Sequence, residues 1–211
     1  MNKGIFITFE GGEGCGKSSH IAALAQYFES IGRTCVVTRE PGGTPLSEKI
    51  RDLLLHAKEG AKMSPRAELL LFEASRAQHV DELILPALKE GKVVLCDRFA
   101  DSSSAYQGVA RNLGDDSVEW LNRFAVDGAT PHLTILLDIP AKDGIARANS
   151  RDNDSPDRMG SEKIAFYEAV RGAFLKIAAL NPQRFAVVDS SGSKDETFSK
   201  IMEAVKAKFN V

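Results

Sequence analysis

The sequence predicts an α/β protein, a parallel sheet with helices on both faces, and three observations carry that expectation. Five short apolar runs, Ile5–Glu10, Cys35–Arg39, Val93–Asp97, Leu133–Asp138 and Phe185–Asp189, are separated pair by pair by helical patterns. That alternation lays strands side by side in parallel. None of the runs alternates cleanly between apolar and polar residues, as strands buried on both sides should not. Between the first run and the first helical pattern, residues 11–18 read G-G-E-G-C-G-K-S. They fit G-x-x-x-x-G-K-[ST] in the strand–loop–helix context that a phosphate-binding loop requires.

In such a loop the glycines let the backbone curl so that several N–H groups point at one anion, and the helix that follows adds partial positive charge at its N-terminus. Gly11, Gly12, Glu13, Gly14, Cys15, Gly16, Lys17 and Ser18 are therefore candidate residues for a nucleoside triphosphate. Lys17 is expected to reach the β- and γ-phosphates and Ser18 to ligate Mg²⁺. Cys15 stands where the loop needs a small residue and reads as packing, not catalysis.

The first helical pattern, Ser19 to Ile31, carries Ile21, Leu24, Ala25, Phe28 and Ile31 at helical spacing. Gly32 follows as a C-terminal cap. The second strand closes in Thr38-Arg39-Glu40-Pro41-Gly42-Gly43-Thr44, which suits a tight turn and a substrate loop equally. Pro45 opens a helix through Leu54, and Pro65 after Ser64 opens another with Leu69, Leu70, Phe72 and Ala74. Phe72 and Arg76 fall one turn apart, hence on one face. The ring is either core or, beside a guanidinium, a platform for a planar base with a polar edge. Pro86 is expected to kink or end that element before the strand at Val93. Two strands end in aspartate, Asp97 and Asp138, and the carboxyl end of a parallel strand lies on the ligand side of the sheet. Asp97 is followed by Arg98, a metal-side carboxylate beside a phosphate-binding guanidinium, and is favoured for function. Asp138, followed by Ile139-Pro140, is read as a helix-start residue. Residues 149–160 are polar and rich in turn formers, the composition of a mobile loop or lid. Ser193 with Glu196 makes a capping box for a last helix reaching about Phe209.

Composition narrows the function classes. The 211 residues fit one domain, 1–211, with no repeats or long linkers. A net charge of -2 offers no basic field, which argues against a nucleic-acid partner. No apolar run approaches a membrane span, and the apolar start reaches Glu10 too soon for a signal sequence. Cys15, Cys35 and Cys96 show no paired spacing and read as reduced thiols of a cytoplasmic protein. His20, His56, His79 and His132 lack metal-ligand spacing.

Four runs, F-E-G-G-E-G-C-G-K-S, T-R-E-P-G-G-T, L-L-L-F-E-A-S-R-A-Q-H-V and D-R-F-A-D-S-S-S-A-Y-Q-G, resemble in order and separation the motifs of the bacterial thymidylate kinase family. The similarity extends over essentially the whole chain. The resemblance implies a P-loop nucleoside monophosphate kinase fold, a five-stranded parallel sheet flanked by helices, with a short lid and a homodimeric assembly. It implies ATP and dTMP as partners, ADP and dTDP as products in dTTP synthesis, and Mg²⁺ as the metal. Carried over by position, Glu13 is the phosphate-loop carboxylate that organises the acceptor end of the site. Phe72 stacks on thymine, Arg76 reads its exocyclic oxygen, and Ser103 and Gln107 address the base. Tyr106 packs on the sugar and disfavours a 2′-hydroxyl. Arg98 grips the acceptor phosphate, Asp97 stands near Mg²⁺, and Arg39 lies in the motif of the acceptor loop. Two departures stand out. Phe99 replaces a frequent tyrosine, and Asp157-Arg158-Met159 in the lid is followed by Gly160 where an acid is common.

One branch of the family carries an arginine in the phosphate loop, a part that Gly14 and Cys15 cannot play. The catalytic cation is then expected from the lid, with Arg151 first and Arg158 second, while Arg147 stays near the adenine; ordinary surface charge is the other reading of all three. Two rivals remain at this level. A kinase for another small acceptor would also keep the loop, but Arg98 argues for an acceptor already phosphorylated. A guanine-nucleotide switch would want N-K-x-D, which the chain lacks.

Overall fold

The computed structural model describes residues 3–56, 63–150 and 162–211. Its five strands, β1 (Ile5–Glu10), β2 (Cys35–Arg39), β3 (Val93–Asp97), β4 (Leu133–Asp138) and β5 (Phe185–Asp189), have the bounds expected from the apolar runs. They form one parallel sheet in the order β2-β3-β1-β4-β5. The helices are α1 (Lys17–Ser30), α2 (Pro45–Leu55), α3 (Pro65–His79), α4 (Leu85–Lys89), α5 (Ala100–Ser103), α6 (Asp115–Val126), α7 (Ala141–Asn149), α8 (Ile164–Leu180) and α9 (Lys194–Phe209). No helix among the described residues is long and apolar enough to cross a membrane.

Side chains alternate across the sheet, and both sides are covered. Ile5, Ile7 and Phe9 of β1 pack with Leu95 and Ile135 under Ile21, Leu24 and Phe28 of α1 and Ile201 and Val205 of α9. Phe6 of the same strand joins Val94 and Cys96 against Val80, Ile84 and Phe99 on the opposite face. A third cluster seats Val170 and Phe174 of α8 on Leu136, Phe185 and Tyr106. With both faces buried, an apolar–polar alternation in β1, β3 and β4 would have put charge in a core.

The topology opens the crevice. The connection after β1 runs through α1 on one face, whereas the connection after β3 packs Phe99 and Ala100 on the other. Adjacent strands whose continuations part in this way leave a cleft at their carboxyl ends. Phe9 lies in register with Asp97, and Asp97 with Arg39, so three loops meet there.

Local signals behave as expected at most helix ends. Thr44 and Ser64 accept from Ser47 N and Ala67 N ahead of Pro45 and Pro65. The box of Ser193 and Glu196 is complete in both directions. Gly32 follows α1 at φ 76, and its N–H bonds to Glu29 O. Pro86 has no N–H to complete the helical ladder, and the chain passes from α3 to α4 through a π-helical stretch, Val80–Ile84, without stopping. A second such stretch, Ser104–Ala110, continues α5.

One expectation fails. Asp138 does not start a helix: Pro140 occupies the cap, in an extended conformation, and α7 begins at Ala141. The intervening Ile139-Pro140 carries the chain past the reach of a capping carboxylate, and Asp138 instead receives Nε and Nη2 of Arg171 at 2.7 and 3.0 Å.

Candidate active site

The phosphate loop connects β1 to α1. Gly16 caps α1 at φ 95 with no side-chain cap, which leaves the first N–H groups of the helix for an anion. Gly14 has φ 66, and a Cβ there would overlap the carbonyl oxygen of Gly144 at the start of α7, so only glycine allows this approach. Lys17 is buried, and its Nζ arches over the loop to the carbonyls of Gly11 and Gly12 at 3.3 and 2.9 Å. Cys15 is buried in the core cluster under α1, with Sγ on Gly12 O at 3.1 Å. That is the packing role expected of it.

The loop after β3 faces it. Ser18 Oγ donates to Asp97 Oδ2 at 3.3 Å, joining the two proposed metal-side groups across the crevice. Among the described residues no three His, Cys, Asp or Glu cluster as a protein-only metal cage. Mg²⁺ held with phosphates and waters needs only one or two hard oxygen donors from the protein, and a hydroxyl beside a carboxylate fits that requirement. Arg98 is held at φ 67. Its Nη2 donates to Glu13 Oε1 at 2.5 Å and its Nη1 to Gly11 O at 3.0 Å, and the guanidinium stands 5.2 Å over the Tyr106 ring. Glu13, Lys17, Ser18, Arg39, Asp97 and Arg98 line one open cleft together with Glu40 and Arg51. Arg39 pairs with Glu48 at 2.9 Å at the cleft's exposed rim.

The other end of the cleft rests on a buried ionic network. Arg76 is 1% exposed. Its Nε donates to Glu40 at 2.9 Å, and its Nη1 reaches Glu73 at 2.7, Ser103 at 3.1 and Asn122 at 2.9 Å. Among the described residues Nη2 makes no hydrogen bond, which leaves that edge of the fork for a base. His79 sits between Glu40 at 3.0 Å and Thr38 at 2.7 Å. Gln107 donates to Glu68 at 2.8 Å. Phe72 is half-buried and belongs to none of the three apolar clusters, which favours a platform over a core ring. Tyr106 and Gln107 lie in the π-helical stretch; the Tyr106 hydroxyl is buried, and burial pushes its phenol up. Phe99, the replaced tyrosine, is buried edge-on against Phe6 at 5.0 Å, an apolar setting that suits a ring without a hydroxyl.

Arg147 is fixed away from this cleft, with Nη1 and Nη2 donating to the carbonyls of Ser190 and Ser191 at 2.8 and 2.7 Å. Arg151 and Arg158, with Asp157, Met159 and Gly160 of the expected lid, lie outside the described residues. Sequence reasoning missed Glu10, Glu40, Glu73, His79, Ser102 and Asn122 as parts of the site. Glu10 ends β1 fully buried, and burial, then the charge of Asp101, pushes its carboxyl from 4.5 up to about 8. The available signal was a carboxylate closing an apolar run immediately before the phosphate loop.

The family model described as thymidylate kinase matches residues 9–201. The thymidylate kinase of Geotalea uraniireducens is 47% identical over 209 residues, covering 97% of this chain and 98% of that one. The thymidylate kinase of Geobacter sulfurreducens is 48% identical over 206 residues, covering 96% of each. The crystal structure of thymidylate kinase from Ehrlichia chaffeensis superposes with a TM-score of 0.78 at 33% identity, over 97% of this chain and 98% of that one.

Proposed function

The chain belongs to the thymidylate kinase family, and from that premise we propose how its own residues carry the reaction. The reaction moves the γ-phosphoryl group of ATP to dTMP: an oxygen of the acceptor 5′-phosphate bonds to the γ-phosphorus, the bond to the β–γ bridging oxygen breaks, and ADP and dTDP leave. One observation carries the assignment of sites. Lys17, at the end of the loop after β1, and Arg98, in the loop after the neighbouring β3, line a single cleft with the bonded pair of Ser18 and Asp97. A donor phosphate chain on the Lys17 side and an acceptor phosphate on the Arg98 side would meet nearly in line, and alignment with charge neutralisation is most of what phosphoryl transfer asks of a protein.

Residues 11–18 hold the triphosphate through backbone N–H groups, and Arg147, pinned to the turn after β5, borders the adenine. Ser18 and Asp97 would hold Mg²⁺, which when bound neutralises phosphate charge. Glu13 braces Arg98 toward the acceptor, and Arg39 lines the acceptor rim of the same cleft. Phe72 stacks on thymine, and the free edge of Arg76 reads its exocyclic oxygen. Ser103 and Gln107 fix the polar lining of the base pocket, and the Tyr106 ring packs on the sugar. Arg151 or Arg158 supplies the remaining transition-state cation, because the phosphate loop carries no arginine beside Lys17.

The chain is proposed as a single domain over 1–211 with a lid near 149–160, working in the cytoplasm as a homodimer, with neither nucleic acid nor membrane as partner. The dimer reading is supported by an exposed apolar face. Trp120 and Phe124 of α6 stack at 6.1 Å while 60% and 74% exposed, and Leu70 of α3, a helix that packs on α6, is 55% exposed. Assay of ADP release against a panel of nucleoside monophosphates tests the assignment. Turnover is expected with dTMP and to fall at least about 10²-fold with dCMP or dAMP, whose amino edges leave the Arg76 fork unmatched. Equal turnover across the panel would overturn the base site.

A further inference from the structure

Arg98 needs outside support to be where it is. Its φ of 67 lies in the left-handed region, which a side-chain-bearing residue holds only when its surroundings over-determine it. Its own backbone N–H bonds to Phe9 O at 2.9 Å, and the next turn is gripped from the same strand. Glu10 is fully buried, and both of its oxygens are engaged: Phe99 N–H donates to Oε1 at 2.8 Å and Ser102 Oγ donates to Oε2 at 2.6 Å. Ser102 Oγ in turn lies 3.5 Å from Arg98 Nη1. Asp101, between these two contacts and next to Ser102, is tied by two bonds, 2.6 and 2.9 Å, to Arg184 before β5.

Placing a carboxylate in a sheet core is costly, and alternation along β1 puts Glu10 on the face of Phe6, directly under this turn. Packing alone would have been served by an apolar residue. We propose that Glu10 and Ser102 are positioning residues for Arg98: Glu10, one residue before the phosphate loop, locks the turn that carries the acceptor arginine to the strand that carries the donor loop. The two phosphates are thereby held in one frame. The proposal rests on reading Arg98 as the residue for the acceptor phosphate.

Steady-state KM values for dTMP and ATP, with thermal unfolding, test it in Ser102→Ala, Glu10→Ala, Glu10→Gln and Arg98→Ala. Ser102→Ala is expected to raise the dTMP KM about 10-fold, the effect of losing one buried hydrogen bond, with the ATP KM within about 2-fold. Glu10→Ala should raise it further. Glu10→Gln should restore near-wild-type values, since its amide oxygen still accepts from Phe99 and its amide nitrogen still meets Ser102. If Arg98→Ala raises the dTMP KM while folded Ser102→Ala and Glu10→Ala leave it unchanged, the proposal is overturned and the reading of Arg98 survives. Should Glu10→Ala not fold, the Ser102→Ala value alone decides between these outcomes. If Arg98→Ala leaves the dTMP KM unchanged, the reading of Arg98 falls, and the proposal with it.

Discussion

At the scale of single residues, the site separates groups that meet the nucleotides from groups that hold those groups still. Phe72 is proposed to be of the first kind; it is half-buried and outside every apolar cluster. Phe72→Ala should weaken dTMP binding by about 1–3 kcal/mol, the range for one base–aromatic stack, with ATP binding and melting temperature little changed. Calorimetry that finds dTMP binding intact and stability reduced would make Phe72 a core residue. Glu10 is of the second kind, and its carboxyl, raised to about 8 by burial and by Asp101, leaves a mark on stability. The folded chain keeps a proton there that the unfolded chain has released. The stability this group contributes is therefore complete below about pH 4.5 and drains away as pH rises through about 8. Glu10→Gln cannot ionise, so its melting temperature should gain on wild type between about pH 5 and about pH 8.5. Parallel curves would mean that Glu10 titrates normally.

At the scale of elements, the phosphate loop does not stand alone but rests on α7. A Cβ on Gly144 would overlap the carbonyl oxygen of Glu13, as one on Gly14 would overlap that of Gly144. Gly144→Ala should therefore displace the loop and cut kcat/KM for ATP by about 10²-fold, the order expected for a misplacement near 1 Å, while circular dichroism stays that of the wild type. Unchanged ATP kinetics would show that helix and loop are independent. What was legible in the sequence follows the same division. Strands β1 to β5 were readable to the residue because each is an apolar run stopped by a charged residue at the sheet edge, and the phosphate loop because its spacing is a chain-local constraint. Asp138 was misread because a strand-terminal aspartate before proline looks like a cap; its partner, Arg171, is 33 residues away. Glu40, Glu73, His79 and Asn122 were invisible for a similar reason. Each is an ordinary polar residue in its own segment; Glu73 and His79 share α3 with Arg76, but only the packing of α3 on α6 and on the loop after β2 brings Asn122 and Glu40 to them.

At the scale of the whole molecule, a five-stranded sheet brings both proposed phosphate sites to one crevice and leaves the stacked pair of Trp120 and Phe124 exposed. Phe124→Asp should convert a dimer into monomers in light scattering without loss of the fold, because a charge is desolvated only when the face is covered; a wild-type monomer, or an intact dimer of the variant, would contradict the dimer reading. The central claim is that this crevice moves a phosphoryl group between two nucleotides and does not spend ATP on water. Incubation with ATP carrying radioactive phosphorus in the γ position, with and without dTMP, followed by separation of the products, tests it most directly. The label is expected in dTDP only when dTMP is present, with little in inorganic phosphate, and Lys17→Ala should abolish the transfer while remaining folded. Label accumulating in inorganic phosphate at the same rate with or without dTMP would contradict the account.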